Sequence, residues 1–266
     1  MTPATAKSFV LLASAAPVAV IFYRRNSLTT YCLLLDYEQL RWSYRYRLTK
    51  GSRFYGRIFP ERSHLSADGQ LLVYFAMRGK KTDGQADPST WTAVATPPWL
   101  RAHLFFPNGS TWGGGGMFLP DRRLVVLEAP PTGAGPEYET FRGHRIVHDT
   151  ASLPERDAAA LQAHLRPEQS TRYPRPPEAR GGRNLVIVRT ARPQSLGSYD
   201  QFDYLLQDAD GYDVDGADDI AQANWVGWDI YGRLMVAAGR QLKIYVIEPG
   251  RRLGKPAKIF DLEAAI

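Results

Sequence analysis

One phrase returns along this chain at nearly even intervals, and it limits the fold more than any other feature. Its clearest copy is Ala223–Ile247, ANWVGWDIYGRLMVAAGRQLKIYVI. It has an apolar approach, a turn at Ile230-Tyr231-Gly232, the apolar run Leu234–Ala238, a second turn at Gly239-Arg240, and the run Leu242–Ile247. Short apolar runs joined by glycine-containing turns predict antiparallel strands, because glycine reaches the positive φ that tight hairpin turns need. The phrase returns as LSADGQLLVYFA at Leu65–Ala76 and more loosely as FLPDRRLVVLE at Phe118–Glu128. With the turn before each apolar run as a ruler, Ala16, Gly69, Arg122, Gly182 and Gly232 are spaced by 53, 53, 60 and 50 residues. A period of about 50 residues suits a repeat whose unit is a four-stranded sheet and exceeds that of the shorter helical solenoids. Such a sheet cannot cover its own apolar faces, so neighbours must stack around an axis. The expected fold is all-β: a β-propeller of about five blades, one domain spanning residues 1–266.

The local pattern agrees with this period. Trp42, Tyr44, Tyr46 and Leu48 fall on one face of a strand, with Arg41, Ser43, Arg45 and Arg47 on the other. Further strands are expected at Phe9–Ala13, Val18–Tyr23, Tyr55–Phe59, Thr90–Ala95, His103–Phe106 and Leu124–Leu127, with a polar loop over Arg78–Ser89. Two segments break the pattern. Leu153–Leu165, LPERDAAALQAHL, predicts a helix with Leu153, Leu161 and Leu165 on one face. Arg166–Arg183 follows, and its prolines and arginines argue against regular structure. Together, about residues 150–183 read as a short helical, Pro/Arg-rich insertion.

The apolar N-terminal stretch Ser8–Phe22 contains Ala13-Ser14-Ala15, the form of a signal-peptidase site. Few strongly hydrophobic residues precede it, and Pro17 interrupts the run, so two strands are expected there, in a cytoplasmic protein without a membrane partner. The lone Cys32 excludes a disulfide framework and reads as a buried thiol.

SADGQLLVYFA at Ser66–Ala76 resembles the S-P-D-G hairpin of bacterial TolB-type and WD40-like propellers, with Ala67 in place of the usual Pro. NWVGWDIYGRLMVAAG at Asn224–Gly239 is similar, with Tyr231 in place of the turn Asp. Trp228-Asp229 precedes the hairpin turn and is taken as an ordinary strand end. The resemblance implies a stacked scaffold that binds other macromolecules, and it brings no catalytic residue with it.

Candidate chemistry lies where the repeat fails. The glycine run Gly113–Gly116 lacks the following Lys and helix of a phosphate loop and reads as close packing or a bulge. Asp200–Asp219 concentrates carboxylates. Of these, Asp208, Asp210, Asp213 and Asp215 are the candidate ligands for a calcium ion, although Tyr212 would occupy the fifth position of an EF-hand register. Solvated loops are the alternative. Arg41–Arg62 carries seven basic residues and one Glu, an excess equal to the net charge of the whole chain, +6. Arginines beside Trp42, Tyr44 and Tyr55 suit phosphates and stacked bases, although the alternation places the two residue types on opposite faces. Five histidines (His64, His103, His144, His148 and His164) show no HExxH, and His144 and His148 share one strand face.

These observations predict a protein-interaction module. Its partner-binding residues would be Arg41, Arg45, Arg47, Arg53, Arg57, Arg172 and Arg175, its partner another protein or a nucleic acid, and its only candidate cofactor calcium. The alternative is a propeller hydrolase with a metal or carboxylate site in the axial pocket, which would require acids and histidines from separate blades to converge there.

Overall fold

The computed structural model describes residues 6–41, 43–78, 89–111, 113–165, 170–177, 184–192, 202–248 and 252–266. Strands dominate. The first sheet is a meander of β1 (Lys7–Leu12), β2 (Val18–Asn26), β3 (Thr29–Gln39) and the long β4 (Tyr44–Leu65). The 22 residues of β4 serve two sheets: those up to Tyr55 pair with β3, and those from Gly56 onward pair with β5 (Leu72–Arg78). Gly56 is the point of transfer. Its φ of +147°, and a carbonyl (Met77) only 2.3 Å from where a Cβ would lie, leave room for no other residue. The second sheet continues through β6 (Thr90–Ala95) and β7 (Ala102–Asn108).

The third sheet contains β8 (Gly116–Phe118), β9 (Arg123–Val126), β10 (Thr140–Phe141) and β11 (His144–Val147), in the order β10-β11-β9-β8 with β11 parallel to β9. After it comes the helix α1 (Glu155–Leu165), which follows Pro154. The fourth sheet is β12 (Ser170–Pro174), β13 (Leu185–Ala191) and β14 (Phe202–Asp208). A single helical turn, α2 (Asp218–Ala221), leads to the last meander: β15 (Trp225–Trp228), β16 (Leu234–Ala238), β17 (Gln241–Tyr245) and β18 (Lys258–Asp261). No helix among the described residues is long and apolar enough to cross a membrane.

Alternate residues of the second strands bury into different cores, as expected of strands covered on both faces. On β2, Ala19, Ile21 and Tyr23 pack with Met235, Ala237, Leu242 and Ile244 of the last sheet. Val20 and Phe22 instead join Ile58, Leu72, Tyr74 and Ala76 of the second sheet, beside the buried Cys32. Val73 and Val94 then meet Phe118, Leu124 and Val126 of the third sheet. Leu234 and Val236 pack with Ile187, Tyr204 and Leu206 of the fourth. The sheets thus stack face to face in the succession fourth, last, first, second, third. The outer face of the third sheet is covered by α1, where Leu161 meets Val125 and Leu119, with Leu153 and Leu165 alongside. Arg123 fastens this helix through its pair with Asp157.

Two expectations are corrected. Residues 170–174, placed in a segment without regular structure, form β12. Its proline is tolerated because β12 is an edge strand and Pro174 is its last residue, where no ladder donor is needed. Residues 166–169 and 178–183, including Gly182, lie outside the described residues, as do Trp42 and most of the 78–89 loop. Second, Asp229 is no ordinary strand end. It is buried, accepts hydrogen bonds from the amides of Tyr231 and Arg233, and pairs with the buried Arg233 guanidinium at 2.6 Å. Tyr37, Tyr44, Tyr46 and Tyr231 surround that guanidinium, the closest ring being Tyr44 at 4.1 Å, and Arg233 also donates to the Tyr46 hydroxyl. The aromatic face of the first part of β4 therefore holds the β15–β16 hairpin.

Removing one member of a buried pair leaves the other charged and unsolvated, at a cost of about 3–5 kcal/mol. Arg233→Met should lower the unfolding free energy by about that much in urea titration. A loss below about 1 kcal/mol would show that the pair does not secure the hairpin.

Candidate functional site

Beyond Gly56, β4 pairs regularly with β5 as far as Phe59 and resumes at His64. The interruption begins at Pro60, which has no amide hydrogen for the ladder, and the buried Ser63 closes it by donating from Oγ to the Phe59 carbonyl at 2.8 Å. Irregularities of this kind re-aim side chains. Here Glu61 and His64 both line a cavity of about 360 Å³. Its other walls come from β1 (Phe9–Leu12), from Ala163 and His164 near the end of α1, and from Tyr173, Arg189, Phe202 and Trp225 on the fourth and last sheets. The volume lies within the range of small-molecule sites, roughly 300–1,000 Å³.

Four ionisable groups from three elements meet at this cavity, and each has a buried polar atom without a hydrogen-bond partner among the described residues: Glu61 Oε1, His64 Nδ1, His164 Nε2 and Arg189 Nε. Buried polar atoms are nearly always satisfied, so four at one cavity mark a place built for something else to complete. The two imidazoles meet edge to face, with centroids 5.2 Å apart. Arg189 lies against two rings, 4.4 Å from the Phe202 centroid and 4.9 Å from that of Tyr173.

Burial sets the charge states. It pushes the Glu61 carboxyl up to about 8, against the pull of Arg62, Arg189 and Arg24. It pushes His64 down to about 4. His164 falls to about 3, with His64 and Arg189 adding to the effect of burial. At neutral pH the cavity therefore presents a protonated acid that can donate, two neutral imidazoles and one guanidinium.

The expected partner-binding arginines are dispersed and mostly engaged. Arg45 and Arg47 stand on the exposed face of β4 and pair with Glu38 at 3.6 Å and Asp36 at 3.0 Å. Arg53 lies over Tyr55, Arg57 near Phe59, and Arg41 is on an exposed bend before β4. Arg172 donates to Gln207 in the fourth sheet, and Arg175 donates to the Gly232 carbonyl. Tyr44, for which base stacking was one alternative, is one of the rings around Arg233.

Among the expected calcium ligands, Asp208 accepts from the amides of Asp210 and Tyr212 and so closes its own turn. Asp213 accepts from Gln207, and Asp215 bridges to Arg252 through the backbone. Among the described residues, no three His, Cys, Asp or Glu side chains are grouped to hold a metal ion. His144 and His148 have separate surroundings: the first packs on Phe118, and the second on Phe106 with its Nδ1 2.7 Å from the Glu128 carbonyl. The glycine run packs closely, as expected. A Cβ on Gly114 would lie 2.2 Å from the Phe75 ring, and one on Gly115 would lie 2.5 Å from the Arg62 carbonyl. Compared with family models, curated proteins and solved structures, the chain has no match in any of the three.

The raised Glu61 pKa has a sign that can be checked. Between pH 6.5 and 8 the folded state keeps a proton that the unfolded state has lost, so stability falls as pH rises. The histidines act lower: they are neutral when folded and protonated when unfolded between about pH 4 and 6.5, so their contribution rises with pH there. The protein should lose about 2 kcal/mol from pH 6.5 to 8, and Glu61→Gln should lose almost none, as read by urea unfolding. Equal losses in both proteins would place the Glu61 pKa in the ordinary carboxylate range.

Proposed function

We propose that the stacked sheets are the blades of a β-propeller, about five in number, and that the chain is a binding module whose ligand is a small molecule seated in the cavity. The observation that carries this reading is the convergence of Glu61, His64, His164 and Arg189, each with an unsatisfied polar atom, on one partly apolar cavity. The propeller reading is supported by the face-to-face succession of sheets and by the position of the recurring turns. Ala16, Gly69, Arg122 and Gly232 each lie between the first two strands of a sheet. The likeness of Ser66–Ala76 and Asn224–Gly239 to TolB-type and WD40-like hairpins accords with that position.

Binding is favoured over hydrolysis because imidazoles with pKa values of about 4 and 3 are weak bases at neutral pH. The cavity is favoured over the outer face of β4 because the arginines there already have internal partners.

Two-dimensional NMR of the full chain with a small-fragment library tests this. Amide shifts should cluster in residues 9–12 and 60–65, and the Trp225 indole should move with them. Shifts confined to Arg45, Arg47 and Arg53 would locate binding on the outer strand and contradict the reading.

A further inference from the structure

Among the guanidiniums packed against aromatic rings in this fold, Arg233 and Arg189 differ in one respect. Arg233 has a carboxylate, Asp229, at 2.6 Å. Arg189 has no carboxylate within ion-pair distance among the described residues; its partners are the faces of Tyr173 and Phe202, which stabilise a cation without neutralising it. Glu61, the acid among the described lining residues, does not compensate, because burial keeps it protonated at neutral pH. The other cations whose charge reaches Glu61 are Arg62, which donates to the Gly113 carbonyl at 2.8 Å, and Arg24 on β2. Of the other titratable groups around it, His64, His164 and Tyr204 are neutral at that pH.

An unneutralised guanidinium at a partly apolar cavity is unfavourable unless something negative joins it. We propose that the ligand of this cavity is a small organic monoanion, a carboxylate carried on a flat apolar body, received by Arg189. This rests on the cavity being the binding site. The charge count in the lining selects a monoanion: Arg189 is the one Arg or Lys among the described lining residues and balances one negative charge, whereas a phosphate monoester would bring nearly two. The carboxylate is selected by the donors. Arg189 Nε has no acceptor among the described residues, and the protonated Glu61 lines the same cavity and can donate, so both carboxylate oxygens find partners. The flat body is selected by Phe9, Phe202 and Trp225 in the walls.

Benzoate and benzamide, nearly equal in shape and differing in charge, are suitable probes, with inorganic phosphate as a third. Each is titrated into the full chain at pH 7, and binding is followed by the Trp225 indole resonance and by calorimetry. Benzoate should bind at least tenfold more tightly than benzamide or phosphate, and Arg189→Gln should erase that preference. Equal binding of benzoate and benzamide, or tighter binding of phosphate, overturns the monoanion assignment while cavity binding stands. A preference that survives in Arg189→Gln overturns the role of Arg189. If no probe moves the cavity resonances, the cavity reading itself fails. Should Arg189→Gln not fold, the three-probe comparison on the unaltered chain still decides the ligand class.

Discussion

Apolar residues on both faces of successive strands are the constraint from which the rest of the structure follows. Val20 and Phe22 point one way from β2, and Ala19 and Ile21 the other, so the first sheet is stable only between two neighbours. The same holds for β5 and β16, whose alternate residues also serve two cores. Each fully buried aliphatic side chain contributes about 1.5–3 kcal/mol relative to exposure, and strands buried on both faces gain this at every position. Where the succession of sheets stops, at the outer face of the third, Leu161 of α1 covers Val125 instead. The helix is therefore part of the stack, and its penultimate residue, His164, reaches the cavity.

The cavity differs from the cores in how closely its unmatched polar groups are gathered. Beside the apolar clusters Asp229 pairs with Arg233 and Thr92 with Glu128, and the unmatched atoms there, such as Thr30 Oγ1, Tyr37 Oη and Glu128 Oε2, are scattered. At the cavity four residues leave polar atoms unmatched. Burial sets their protonation states so that three of them are neutral and one carries a positive charge. A fold can tolerate that arrangement where binding restores the balance.

Much of the architecture was legible because it rests on local signals. The period-two alternation of Tyr44–Leu48, the turns at Gly69 and Gly232, and the leucine face of residues 153–165 each follow from backbone geometry a few residues long. The site was not legible, because it is assembled from distant parts. Glu61 stood in the sequence as the one acid of a basic run, and His64 and His164 as histidines without metal spacing. Nothing local says that α1 ends against β4. The one available signal was Pro60 inside an otherwise strand-like run, since a proline there implies broken pairing and a redirected neighbour. The partner of the aromatic face of β4 was out of reach for the same reason: Arg233 lies 187 residues away from Tyr46.

Anion binding at the cavity requires an acid that stays protonated near an arginine. Carbon-13 NMR of the Glu61 side-chain carboxyl, titrated with pH in the intact chain, measures this directly. A midpoint near 8, with the resonance of the protonated form throughout the neutral range, is the result the account requires. A midpoint near 4 would mean that Glu61 is ionised and neutralises Arg189, and the cavity would then have no charge left for a ligand to balance.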